Sequence, residues 1–141
     1  MAKKTTPPLD PQTCPSVSKE IWVYAETPEP QKWLPVDYNL FGKWCVMRPA
    51  ATIDDAWARV VALVQAGHVV TAKASGYHQA RLHGGSHLIC VYTPDWRDKD
   101  AVFRVRELLR AAGFTEELGY KKDADTRAGV YGTADEWTYR A

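Results

Sequence analysis

The sequence predicts an α+β domain: a mostly antiparallel, curved sheet in the order β-β-α-β-β-α-β-β, with two helices on one face. Three observations carry this. Short apolar/polar alternations come in pairs separated by brief turn-rich connections, the pattern of antiparallel strands. Two other segments place apolar residues at i, i+3, i+4 and i+7, one face of a helix. The chain of 141 residues is the length of one domain, so both sets must share a core. Helices gathered on one side leave the other face of the sheet open for a ligand.

Residues 1–18 read as a disordered or extended tail, because Pro7, Pro8, Pro11 and Pro15 block regular ladders. Residues 19–141 form the domain. Ile21 to Tyr24 is a short strand. Pro28, Pro30 and Pro35 make residues 27–40 a loop that holds Trp33. Gly42 to Arg48 is a strand with Trp44 and Val46 on one side and Lys43, Cys45 and Met47 on the other. Thr52 to Asp55 has the look of a capping box, with Asp55 in place of Glu. The helix that follows carries Trp57, Val60, Val61 and Val64, and Gly67 sits where a left-handed cap would end it.

Val69 to Ser75 alternates again, with Thr71, Lys73 and Ser75 opposite Val70, Ala72 and Ala74. Residues 76–86 hold three glycines and read as a flexible loop. His87 to Thr93 is the most apolar strand, with Leu88, Cys90 and Tyr92 opposite His87, Ile89 and Val91. A second helix starts at Asp95 or Asp98. Its stripe is Val102, Val105, Leu108, Leu109 and Ala112, its end is Gly113, and Arg104, Arg106 and Arg110 form its solvated face. Leu118 to Lys122 and Ala128 to Gly132 are two further strands, and Glu136 to Tyr139 is a last strand or an ordered tail.

Composition excludes several classes. Hydrophobic residues at 45% and charged residues at 25% belong to a globular domain rather than a disordered chain. Eighteen basic residues against seventeen acidic ones, a net charge of +1, exclude a basic nucleic-acid coat and leave room for a local basic patch. No apolar run approaches the roughly 20 residues of a membrane span. The first residues lack the apolar stretch of a signal peptide, so a cytoplasmic location is expected. Three cysteines make no disulfide framework and read as reduced thiols. His83 and His87 are separated by Gly84 and Gly85, with no carboxylate pair or second cysteine to complete a set. Neither a metal nor a cofactor is expected.

The matching pieces Gly42-Lys43-Trp44, Thr71-Ala72-Lys73, His87 to Thr93 with Asp95, Arg104-Val105, Leu108-Leu109-Arg110, Tyr120-Lys121 with Asp123, and Gly129-Val130-Tyr131 resemble the basophilic-leukaemia-expressed protein family. The resemblance covers about two-thirds of the chain. It implies the fold of the mRNA cap-binding translation initiation factor 4E, and a phosphothreonine lyase activity.

Two sites follow from that resemblance, both for a phosphorylated ligand. In a phosphothreonine lyase, a base takes the α-proton, an acid protonates the departing phosphate and cations hold it. Lys73 matches the base and Lys43 the first lysine of the related bacterial lyases. Cys45 stands where those enzymes carry the acid histidine, and His87 is the substitute acid if the fold brings it near. Arg81, Lys121, Lys122 or Arg127 would supply the cations. In a nucleotide or capped-RNA-end binder, Trp33 would stack on the base with Tyr77 or His78, each stack contributing about 1–3 kcal/mol. Lys121, Lys122 and Arg127 would then hold the phosphates. The expected partner is accordingly a phosphorylated peptide, or a nucleotide or RNA end, and no membrane. A third class, a protein-interaction adaptor, fits the near-neutral charge and the proline-rich tail.

Overall fold

The computed structural model describes residues 14–124 and 137–141. Its elements are β1 (Trp22–Glu26), β2 (Gly42–Pro49), α1 (Ala50–Gln65), β3 (Thr71–Ser75), α2 (Tyr77–Leu82), β4 (Ser86–Thr93), α3 (Lys99–Ala111), β5 (Gly119–Lys122) and β6 (Tyr139–Arg140). The described strands make one antiparallel sheet in the order β1-β3-β4-β2-β5-β6. Its centre is the pair of eight-residue strands β2 and β4, in register from Gly42 opposite Thr93 to Pro49 opposite Ser86.

Alternation along the strands sorts the sheet into two faces. Trp44, Val46, Ile89, Val91, Ala72, Ala74 and Tyr120 point to one face and share a single cluster with Ile53, Trp57, Val60 and Val64 of α1 and Val102, Val105 and Leu109 of α3. Both long helices therefore cover the same face, as their stripes require. Trp44 is fully buried, and its indole N–H donates to the Val102 carbonyl at 3.0 Å, pinning α3 to β2.

The structure departs from the sequence-based expectation in four places. First, α1 begins at Ala50, after Pro49, and no side chain caps it. The fixed φ of proline serves a helix start without a capping box. Asp55 instead accepts from Arg59 Nε at 3.0 Å, and its neighbour Asp54 accepts from the Ser16 backbone N–H at 3.0 Å. Among residues 14–18 of the expected tail, Ser18 also accepts from the Tyr77 N–H at 2.9 Å. Second, the expected loop over 76–86 contains α2, six residues long. One and a half turns are too short to display a helical period among polar residues. Gly84 and Gly85, with φ of 70° and 87°, make the turn into β4.

Third, Arg106 is not on a solvated face. It is fully buried, and its guanidinium donates to the carbonyls of Ala141, Phe114 and Glu116 at 2.8, 2.9 and 2.6 Å. The carbonyls of Phe114 and Glu116 in the α3–β5 connection, and that of Ala141, which also accepts from the Leu118 N–H, bring it inward. Fourth, the last strand is Tyr139–Arg140, with Tyr139 opposite Tyr120 and Arg140 opposite Gly119. The strand expected over Ala128 to Gly132 lies outside the described residues. Among the described residues, no helix is long and apolar enough to cross a membrane.

Candidate functional site

The uncovered face of the sheet carries chemistry where the covered face carries hydrocarbon. One row of residues crosses five strands in register: Tyr24 opposite Lys73, Lys73 opposite Cys90, Cys90 opposite Cys45, and Cys45 opposite Gly119. A second row, two residues along, sets Lys43 between Tyr92 and Lys121. Lys43 and Lys121 are only 5% and 6% exposed, although no helix of the core covers them.

Lys43, Cys45, Lys73, Cys90, Gly119 and Lys121 of these rows line a cavity of about 560 Å³, within the range of small-molecule sites. Lys43, Lys73 and Lys121 line it together, and Trp22 and Trp137 supply aromatic walls. Gln79 of α2 and His83, just past its end, reach its margin, so the short helix contributes to the site. Gly119 is required here: a Cβ at that position would lie 2.4 Å from the Trp137 ring. The absent side chain lets the indole lie on the strand.

The three lysines are held differently. The Lys43 ammonium donates to Asp123 Oδ1 at 2.9 Å and lies 5.7 Å from the centre of the Tyr92 ring. The Lys73 ammonium sits 4.0 Å over the Trp22 ring and has no ion-pair partner among the described residues. Burial holds its pKa below the usual lysine range, and the neighbouring Lys43 charge pushes the same way against Cys90. Lys121 completes the cluster from β5.

The two thiols below them share a hydrogen bond. That bond pushes the Cys45 thiol well above its ordinary range, and desolvation adds to it. The same bond holds the Cys90 thiol below its ordinary value, helped by the Lys43 and Lys73 charges and opposed by burial.

Of the residues singled out from the sequence, Lys43, Cys45, Lys73 and Lys121 come together in this cavity. The others do not line it. His87 faces the covered side, 1% exposed, its Nδ1–H donating to the Ser75 carbonyl at 2.8 Å. Lys122 projects opposite to Lys121, with its ammonium 4.5 Å from the Trp96 ring centre. Arg81 lies along α2, 3.4 Å from the Tyr77 hydroxyl. Trp33 ends a 3-10 turn (Pro30–Trp33) and packs beside His68, Pro94 and Arg104, its indole N–H buried without a partner. Arg127 lies outside the described residues. Trp22, Trp137, Cys90, Gln79 and His83 were not anticipated as site residues. For Trp22 and Cys90 the signal was their strand parity with Tyr24 and Tyr92; nothing local marks Trp137 or the residues of α2.

An antiparallel sheet backed by helices on one face and open on the other is the architecture of the cap-binding initiation factors. The C. elegans factor eIF4E-3 bound to the 4E-binding protein Mextli superposes with a TM-score of 0.56 at 16% identity, over 74% of this chain and 62% of that one. The complex of the same factor with Mextli and a cap analog gives 0.58 at 18% identity, over 85% and 68%. Schistosome eIF4E complexed with m7GpppA and 4E-BP gives 0.56 at 14% identity, over 74% and 62%. In the first and third superpositions the chain spans less than two thirds of the factor's length. At these identities the likeness defines the fold. The sequence itself matches the basophilic leukemia-expressed protein Bles03 family over residues 38–129, and the chain belongs to that family.

Proposed function

We propose that this domain binds a phosphorylated ligand of the nucleotide class, a free nucleotide or an RNA end, in the cavity on the uncovered face. The observation that supports it is the meeting of Lys43, Lys73 and Lys121 between two indoles in one cavity. Asp123 pairs with Lys43, and Glu117 of the cavity wall pairs with Arg140, so the Lys73 ammonium on the Trp22 ring is the cation offered to a phosphate. Trp22 and Trp137 offer π-faces to a base, and stacking tolerates any base. The bound cap analogs of the structurally similar factors accord with this reading, with Trp22 and Trp137 in the part expected of Trp33.

The test is a titration with a nucleoside triphosphate, followed by tryptophan fluorescence and calorimetry, with inorganic phosphate as competitor. Saturable quenching that weakens with salt is expected. Trp22→Ala should remove much of the quenching and Trp33→Ala should leave it unchanged. An absence of heat and quenching at millimolar nucleotide would overturn the proposal.

A second reading, elimination of phosphate from phosphothreonine, is favoured by one observation: Lys43, Cys45 and Lys73, the three positions implied by the family resemblance, share the cavity. Lys73, its pKa lowered by burial, would take the α-proton as the carbon–oxygen bond to phosphate breaks and a carbon–carbon double bond forms. A phosphothreonine peptide incubated with the protein would then lose phosphoric acid and give the dehydrated residue by mass. An intact peptide at high protein concentration, with nucleotide binding retained, leaves the binding function alone.

A further inference from the structure

Cys45 and Cys90 form a pair that neither nucleotide binding nor elimination uses in full. They are direct partners across the central strand pair β2/β4, and both point to the uncovered face. Opposed residues in an antiparallel ladder have Cα atoms about 4.5 or 5.5 Å apart, depending on the hydrogen-bonding site. Both spacings fall within the range a disulfide spans. Both sulfurs are reduced: Cys90 is 1% exposed and Cys45 is half-buried. Both line the cavity, which gives a small solute such as hydrogen peroxide a route to them. Three ammonium groups surround them, the setting that favours a thiolate.

We propose that Cys45 and Cys90 are a peroxide-reactive dithiol that closes to a cross-strand disulfide in the floor of the cavity. The Cys90 thiol, opposite Cys45 and Lys73 in the ladder, gives its proton to solvent and its sulfur attacks one oxygen of hydrogen peroxide. The oxygen–oxygen bond breaks, Cys90 becomes a sulfenic acid, and hydroxide leaves. That hydroxide takes the Cys45 proton and departs as water. The Cys45 thiolate attacks the Cys90 sulfur, the sulfur–oxygen bond breaks, and a second hydroxide leaves to be protonated by solvent. Two electrons pass from the two sulfurs to the two peroxide oxygens, and the net change in the protein is the loss of two hydrogens.

The proposal is independent of which phosphorylated ligand the cavity takes. It is tested on the full chain with stoichiometric hydrogen peroxide, followed by alkylation of residual thiols and peptide mapping. The expected result is a peptide linked through Cys45 and Cys90, with Cys14 alkylated, and full reversal by a dithiol reductant. In Cys45→Ser the resolving thiol is gone, so a sulfenic acid should accumulate on Cys90 and be trapped by a 1,3-diketone. Cys45 is half-buried, so this variant should fold; Cys45→Ala serves as a second probe with the same expectation. All cysteines alkylated after peroxide, modification confined to Cys14, or links only between molecules would each overturn the proposal.

Discussion

The two faces of this sheet are built from the same strands by the same alternation, yet they bury opposite chemistry. On the covered face, Trp44, Val46, Ile89 and Val91 are excluded from water by α1 and α3. On the uncovered face, Lys43, Lys121 and Cys90 are buried to nearly the same degree without α1 or α3 over them. Burial of hydrocarbon stabilises the fold at about 25 cal/mol per Å². Burial of an ammonium opposes folding unless a carboxylate or an aromatic ring compensates. Asp123 and Tyr92 do this for Lys43, and Trp22 for Lys73. The difference separates what holds the molecule together from what it presents to a ligand, and substitutions on the two faces should separate in the same way.

The largest effect is expected on the covered side. Trp44→Ala removes a fully buried indole and its hydrogen bond to the Val102 carbonyl. Truncations of this kind lower stability by about 3–5 kcal/mol, measurable by urea unfolding. A loss below about 1 kcal/mol would erase the distinction between the faces. Next comes Arg106→Met, which leaves the carbonyls of Phe114 and Glu116 without their donor and takes one of two donors from Ala141. The expected loss is about 2–3 kcal/mol. Arg106→Lys should recover only part of it, because one ammonium cannot serve three carbonyls arranged around a planar fork. Full recovery by Lys would mean that charge, not geometry, is what β6 and the α3–β5 connection require.

On the uncovered side, Lys73→Met should act on binding rather than on folding. The Lys73 ammonium rests on Trp22, and methionine keeps most of the aliphatic stem while removing the charge. Nucleotide affinity should fall about tenfold, near 1.4 kcal/mol, with stability unchanged within about 0.5 kcal/mol. A loss of stability comparable to that of Trp44→Ala would make Lys73 a structural residue. Unchanged affinity would remove it from the site.

Sequence pattern and structure agree best where one residue reports on itself. The 3.6-residue stripe of Trp57, Val60 and Val64 names a helix and its buried face, and alternation in Gly42 to Arg48 puts Lys43 and Cys45 opposite Trp44. Strand order and register are different in kind. That Cys45 lies against Cys90, forty-five positions away, or that Lys43 lies between Tyr92 and Lys121, depends on which strands pair, and no local pattern encodes pairing. Trp137 was hidden for the same reason, since its place depends on the fit against Gly119. Arg106 shows the limit from the other side. An arginine beside an apolar stripe reads as solvated, and only the position of three distant carbonyls draws it inward. His87 falls on the covered face because its parity is that of Ile89, which alternation already stated.

The smallest expected effect is also the most discriminating, because Lys73 should give it opposite signs in binding and in stability. Burial is the main cause of its lowered pKa, Lys43 adds to the lowering, and Cys90, Asp123 and Cys45 oppose it. In the unfolded chain the lysine titrates near its ordinary value of about 10.4. Between the folded and unfolded values the unfolded state binds more protons, so stability rises with pH across that window. Below the window both states are protonated and the slope from this group vanishes. Binding runs the other way: the ammonium that attracts phosphate is lost as pH rises through the folded value. Nucleoside triphosphates are already fully ionised there, since the last phosphate proton leaves near pH 6, so the ligand contributes no slope of its own. Subtracting the Lys73→Met profile isolates Lys73 together with its interactions with Lys43, Cys45 and Cys90. The difference should show affinity falling and stability rising over the same alkaline interval. A flat difference in both would mean that Lys73 titrates as an ordinary solvated lysine, and the buried cationic floor would then reduce to Lys43 and Lys121.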